Sequence, residues 1–149
     1  MASPEDGEDA PAPQAAANRK RILIVEDNPL NMKLFAAMIT AEGYQVLQAT
    51  DGPGGLDLAR RQHPDLIIMD IQLPGLSGLD VTSSLKADAA TRDIPIVATS
   101  AFTQPEDIER VRASGVDSFL AKPIAIAEFL DMIALFMAER QEQKPAPLA

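Results

Sequence analysis

Between residue 19 and residue 140, apolar runs of strand length alternate five times with segments of helical period, the signature of a parallel sheet built from βαβ units. The first strand is predicted over 22–25. Asn28 and Pro29 then supply a helix N-cap and a first helical residue. Leu30, Leu34, Phe35, Met38 and Ile39 recur at helical spacing and predict one buried face, and Gly43 ends the segment. Residues 44–47 form a weaker, more polar strand suited to a sheet edge. A helix over 54–62 follows, before the turn His63, Pro64, Asp65. Leu66, Ile67, Ile68 and Met69 are continuously apolar, as expected of a central parallel strand covered on both faces, and this strand ends at Asp70. Beyond Pro74 and Gly75, Ser77 caps a short helix reaching Lys86, and residues 95–99 make a fourth strand. Thr103 with Glu106 reads as a capping box for the fourth helix. The fifth strand covers 117–121. The last helix carries Ile126, Phe129, Leu130, Ile133, Phe136 and Met137 on one side and ends near Arg140. Right-handed crossovers then give an α/β, doubly wound sheet with helices on both faces.

Length and composition narrow what such a fold could do. A chain of 149 residues holds one domain of ordinary size. Residues 1–18 and 141–149, rich in Ala and Pro without apolar periodicity, read as disordered tails around a domain at 19–140. The apolar runs are strand-sized, so no membrane insertion is expected. The N-terminus opens with Glu5, Asp6, Glu8 and Asp9 instead of a basic and then apolar leader, which predicts a cytoplasmic location. The absence of cysteine excludes disulfides, thiol catalysis and thiolate metal sites, leaving oxygen-rich sites for hard cations. A net charge of −9 argues against direct nucleic-acid binding and for protein partners.

In a doubly wound sheet, the residues at the carboxyl ends of the strands converge whatever their separation in sequence. Those residues are Glu26 and Asp27 after the first strand, Asp70 after the third, Ser100 after the fourth and Lys122 after the fifth. Singly, each has an ordinary explanation. Asp70 could form a turn, Glu26 and Asp27 could serve the positive end of a helix, Ser100 could be a loop hydroxyl and Lys122 an exposed turn lysine. Together they make a site. Two carboxylates about 4 Å apart repel by roughly 4 kcal/mol at an effective dielectric near 20, so three of them call for a compensating cation. Mg²⁺ prefers carboxylate oxygen and water and shares its coordination with phosphate, which makes Asp70 a candidate nucleophile toward a phosphoryl group.

With these residues in place, the sequence resembles the response-regulator receiver (CheY-like) family over about residues 19–139. The resemblance is carried by the acidic pair in ILIVEDN, the aspartate in LIIMDIQLPGLSG, the hydroxyl in PIVATSA and the lysine in FLAKP. The intervals between Asp27, Asp70, Ser100 and Lys122 also agree. It implies a flavodoxin-like sheet in the order 2-1-3-4-5 and a phosphohistidine donor for Asp70, hence a histidine kinase or phosphotransferase as partner. It implies Mg²⁺ held by Glu26, Asp27, Asp70 and the backbone carbonyl of Gln72, with Lys122 pairing with the phosphoryl oxygens. It also implies that Ser100 moves to the phosphoryl group, that Phe119 follows as the aromatic switch residue, and that downstream regulators read the fourth helix, fifth strand and fifth helix. Ser100 stands where threonine is commoner, Phe119 where tyrosine is frequent, and Gln72 and Phe102 at positions that influence dephosphorylation. The stretches VEDNPLNMKLF and MDIQLPGLSGLDVT are nearest to family members that act as single-domain regulators of cell-cycle phosphorelays.

The expectation is therefore a stand-alone signalling switch, monomeric or weakly dimeric, and not a turnover enzyme beyond slow loss of its own phosphoryl group. A Mg²⁺-dependent phosphohydrolase of the haloacid dehalogenase type would carry an aspartate two residues after the nucleophile, where this chain has Gln72. A phosphorylation-independent adaptor would not need Glu26, Asp27, Asp70, Ser100 and Lys122 together. Phe35 and Met38 are expected in the core rather than at a recognition surface, and His63, in a turn, as neither a phosphorelay histidine nor a metal ligand.

Overall fold

The computed structural model describes residues 20–101 and 104–143. Thr103 and Phe102, the segment 1–19 and the end from residue 144 lie outside the described residues. Five parallel strands, β1 (Arg21–Val25), β2 (Gln45–Ala49), β3 (Leu66–Asp70), β4 (Ile96–Ser100) and β5 (Ser118–Ala121), form one sheet in the order β2-β1-β3-β4-β5. The helices between and after them are α1 (Pro29–Ala41), α2 (Gly52–Gln62), α3 (Gly78–Ala87), α4 (Pro105–Ala113) and α5 (Ile126–Gln143). The expected sheet order is observed.

Burial along each strand follows its place in the sheet. All residues of β3 and β4 are buried, because helices cover both faces, whereas β2 and β5 stand at the edges and keep exposed positions. One face packs Leu23, Val25, Ile67, Met69, Ile96 and Ala98 against α2, α3 and α4 through Ala59, Val81, Leu85 and Val111. The opposite face packs Ile22, Ile24, Leu66, Ile68 and Val97 against α1 and α5. Phe35 of α1 stacks on Phe129 of α5 with ring centroids 5.0 Å apart, joining the two helices of that layer.

Four helix starts matter to the positioning of the site. Asn28 caps α1 by accepting from the Asn31 N–H at 3.0 Å, with Pro29 in the first turn as expected. Asp51 caps α2, which begins at Gly52, two residues earlier than its apolar period suggests, because Asp51 and Pro53 are themselves a start signal. Ser77 caps α3 through the Asp80 N–H. At α4 the N-cap residue is Gln104, whose side chain makes no capping bond, so the helix starts one residue after the expected box, whose Thr103 lies outside the described residues.

The buried stripes differ from expectation in two helices. On α1 the residues turned inward are Met32, Phe35 and Ile39, spaced three and four apart, while Leu30 and Leu34 on the neighbouring flank are 73% and 48% exposed. On α5, Phe129, Ile133 and Met137 are buried and Leu130 and Phe136 partly so. Ile126, the first residue of that helix, is exposed because it stands before the turn that meets the core. The helix continues to Gln143, three residues beyond Arg140, since Gln141, Glu142 and Gln143 favour helix and the first proline comes only at Pro145. None of the described helices is long and apolar enough to cross a membrane.

Candidate functional site

At the carboxyl edge of the sheet, β1 delivers Glu26 and Asp27 and the adjacent β3 delivers Asp70, with Val25 and Met69 paired across the ladder. One ligand oxygen from each of these three carboxylates lies within 4.8 Å of the others. Glu26 and Asp70 are 1% and 3% exposed and Asp27 is exposed, so the cluster has a buried floor and an open rim. Lys122, just after β5, sends Nζ to 3.3 Å from both Glu26 Oε1 and Asp70 Oδ2. Its peptide bond to Pro123 is cis. One ammonium, paired with Glu26 and Asp70, thus stands in a cluster of three carboxylates, so the carboxylates outnumber the base by two.

The strain of this arrangement is visible in Glu26. Burial pushes its carboxyl group above the usual range, the Asn28 N–H lowers it by donating to Oε2 at 3.1 Å, and the Asp70 charge raises it again against the pull of Lys122. Asn28 therefore serves two elements at once, capping α1 with its side chain and steadying Glu26 with its backbone.

The two oxygens of Asp70 are distinguished by their partners. Oδ1 accepts from the Gln72 N–H at 2.9 Å, and Oδ2 faces Lys122. The loop that makes this bond folds tightly over the end of β3. Gly75 turns through φ +74°, in the left-handed region, and Gly78 passes so close to β3 that a Cβ there would meet the Asp70 carbonyl oxygen and the Ile71 Cα. Only glycine fits at Gly78.

Ser100 is the last residue of β4, fully buried, one position beyond Thr99, which pairs with Asp70. The sequence pattern placed it just after the strand, but the ladder to Ala121 draws it in. Phe119 pairs with Ala98, two residues before Ser100, so Ser100 and Phe119 share one side of the sheet, where Phe119 is partly buried against the α2–α4 layer. Gln72 is expected as a backbone-carbonyl ligand and as a position that influences dephosphorylation. Its side chain also reaches across to β4: Oε1 accepts from the Ala101 N–H at 2.9 Å and, at 3.4 Å, from the Ser100 hydroxyl. His63 sits at the end of α2 in a left-handed turn and is not among the acidic cluster.

Oxygen donors alone, two of them buried and short of positive charge, suit a hard divalent cation of the Mg²⁺ kind. A carboxylate beside a lysine and such a cation is placed for nucleophilic attack on a phosphoryl group.

Known proteins agree with this geometry. The chain is 48% identical over 120 residues to the polar-differentiation response regulator DivK of Brucella ovis, covering 80% of this chain and 98% of that protein. Its structure is similar to the receiver domain of a sensor histidine kinase from Pseudomonas aeruginosa, with a TM-score of 0.75 and 35% identity over 80% of this chain and 98% of that one. That structure has a magnesium ion coordinated in its active-site cleft. The chemotaxis protein CheY4 of Vibrio cholerae, 24% identical, shares the fold with a TM-score of 0.74 over 79% of this chain and 98% of its own. The family described as the response regulator receiver domain matches residues 22–134, and the chain belongs to that family.

Proposed function

We infer that the protein is a phosphorylation switch in which Asp70 takes a phosphoryl group from a phosphohistidine of a histidine kinase or phosphotransferase. The observation that carries this reading is a buried Asp70 whose carboxylate is held between the Gln72 N–H and Lys122 Nζ and is grouped with Glu26 and Asp27. A carboxylate oxygen of Asp70 attacks phosphorus; the O–P bond forms as the P–N bond of the donor breaks, leaving its electron pair on the imidazole. Glu26, Asp27, Asp70 and the Gln72 backbone carbonyl would hold Mg²⁺, which when bound supplies positive charge to the transferring phosphoryl oxygens. Lys122 holds the phosphoryl charge on the other side.

The product is an acyl phosphate with added negative charge and new acceptor oxygens, which favours whichever conformation brings donors to it. Ser100 supplies a hydroxyl, and Phe119, on the same side of the sheet, follows into the space it leaves. Water returns the acyl phosphate to carboxylate slowly, so the group marks a state and is not turned over as a substrate.

A groove of about 420 Å³ adjoins Lys122, with Phe35 below and Leu34, Pro123 and Ile124 on its walls. Leu34 on that wall and Leu30, one turn earlier on α1, are both exposed. The groove's place beside Lys122 suits a protein donor that must bring its histidine to the site. Kinship with DivK proteins supports a place in a phosphorelay governing polar development or the cell cycle; in this reading the protein works in the cytoplasm as a monomer or weak dimer read by other regulatory proteins.

Incubation with acetyl phosphate and Mg²⁺, followed by intact mass measurement, tests the reading. One added phosphoryl group is expected, absent in Asp70→Asn and absent when Mg²⁺ is chelated. Unmodified wild-type protein, with acetyl phosphate and with a phosphorylated histidine kinase alike, would contradict it.

A further inference from the structure

Gln72 faces two ways. Its backbone N–H donates to Asp70 Oδ1 at 2.9 Å, while its side-chain carbonyl accepts from the Ala101 N–H at 2.9 Å and the Ser100 hydroxyl at 3.4 Å. Ser100 and Ala101 close the end of β4, beside the strand that ends at Asp70. Their donors therefore lie at the end of the strand next to the one that carries Asp70. In the unmodified protein one amide oxygen occupies both.

We propose that the Gln72 side chain is a latch that stands in for a phosphoryl oxygen, holding Ser100 and Ala101 until a group on Asp70 displaces it. This rests on Asp70 being the phosphoryl acceptor. Gln72 is a positioning residue in this scheme: it acts by setting where the end of β4 sits and what its donors are bonded to. Releasing the amide oxygen costs a hydrogen bond, and the phosphoryl group regains one with a charged acceptor, which is the stronger kind. The latch thus raises the threshold for switching without touching the carboxylates. Gln72 is exposed, so the released amide can be solvated and the cost is small.

Beryllofluoride tests this at equilibrium, because it coordinates an aspartate oxygen and presents fluorines where phosphoryl oxygens would lie. Its affinity is measured with saturating Mg²⁺ on the full chain and on Gln72→Met, which keeps the length of the side chain and removes the acceptor. At saturating Mg²⁺, Gln72→Met is expected to bind beryllofluoride about threefold more tightly, the low end of a net hydrogen bond near solvent. In the free variant the Ala101 amide proton should move upfield and exchange faster with solvent. Gln72→Glu, which restores an acceptor oxygen, should return the Ala101 resonance downfield and abolish the gain in affinity. Equal or weaker beryllofluoride binding by Gln72→Met, or an Ala101 amide that does not respond, would overturn the latch while leaving the acceptor role of Asp70 intact. Wild-type protein that binds no beryllofluoride would overturn both.

Discussion

The two ends of the sheet treat their carboxylates in opposite ways. At the amino ends of the strands, Asp65 accepts from the Arg21 N–H at 2.9 Å. Asp117 accepts at Oδ2 from the Ile96 N–H at 2.8 Å and from Lys86 Nζ at 2.9 Å. The same Lys86 also donates to the Ile94 carbonyl, and the Arg21 guanidinium closes the end of α2 through Gln62. Acid there is matched by base or backbone, and the result ties loops to strands. At the carboxyl ends, Glu26 and Asp70 are buried, each takes one backbone N–H, and they share the single Lys122 ammonium, while Asp27 adds a third carboxylate to the cluster. A fold that satisfies its carboxylates at one end and leaves them in excess at the other has room there for a cation, and a cation bound there would offset the charge of phosphoryl oxygens.

The largest effect in this comparison should come from removing the cation that the carboxyl end does have. Lys122→Met is expected to slow phosphorylation by acetyl phosphate about 100-fold, the scale of losing one charged donor to a transition state, while Mg²⁺ binds at least as tightly because a competing positive charge is gone. Parallel loss of rate and of Mg²⁺ affinity would mean that Lys122 only maintains the shape of the site.

Glu26→Gln probes the excess itself. The folded-state pKa of Glu26 lies above the ordinary carboxylate value, so its protonated form favours the folded protein and that contribution is lost as pH rises through the raised value. At neutral pH, without metal, the ionised side chain is therefore a cost. Glu26→Gln should make the metal-free protein more stable by about 1 kcal/mol at pH 7, with the gain shrinking as pH falls toward the ordinary carboxylate range, and should weaken Mg²⁺ binding. Thermal melts across pH, with and without Mg²⁺, measure both effects. A stabilisation independent of pH would detach it from the charge of Glu26.

At the amino end the same kind of change should act oppositely. Asp117→Ala leaves the Ile96 N–H and Lys86 without their shared acceptor and should cost about 1 kcal/mol of stability, modest because Asp117 is 39% exposed at its side chain. The phosphorylation rate should stay as in the wild type. A large change in rate would show that the two ends are coupled through β4 and β5.

Much of this was readable from sequence because burial writes itself into pattern. The unbroken Leu66 to Met69 run marked a central strand, the polar second strand an edge, and the strand ends brought Glu26, Asp27, Asp70 and Lys122 together once the sheet was parallel. The rotation of α1 was not readable. Leu30, Leu34, Met32, Phe35 and Ile39 offer more apolar residues than one face can bury, and only packing against α5 selects the stripe through Phe35. The family resemblance marked the Gln72 position, but its contacts were not readable either, since the rotamer of an exposed glutamine answers to its neighbours in space, Ser100 and Ala101, and not to its neighbours in the chain.

The central claim is that Asp70, held between the Gln72 N–H and Lys122 Nζ, and no other carboxylate of the cluster, is the phosphoryl acceptor. Borohydride reduction of the phosphorylated protein converts an acyl phosphate to the corresponding alcohol, and peptide mass mapping then finds the residue. Conversion of Asp70 alone to homoserine is the predicted result; conversion at Glu26, Asp27 or any other carboxylate, with Asp70 unchanged, would contradict it.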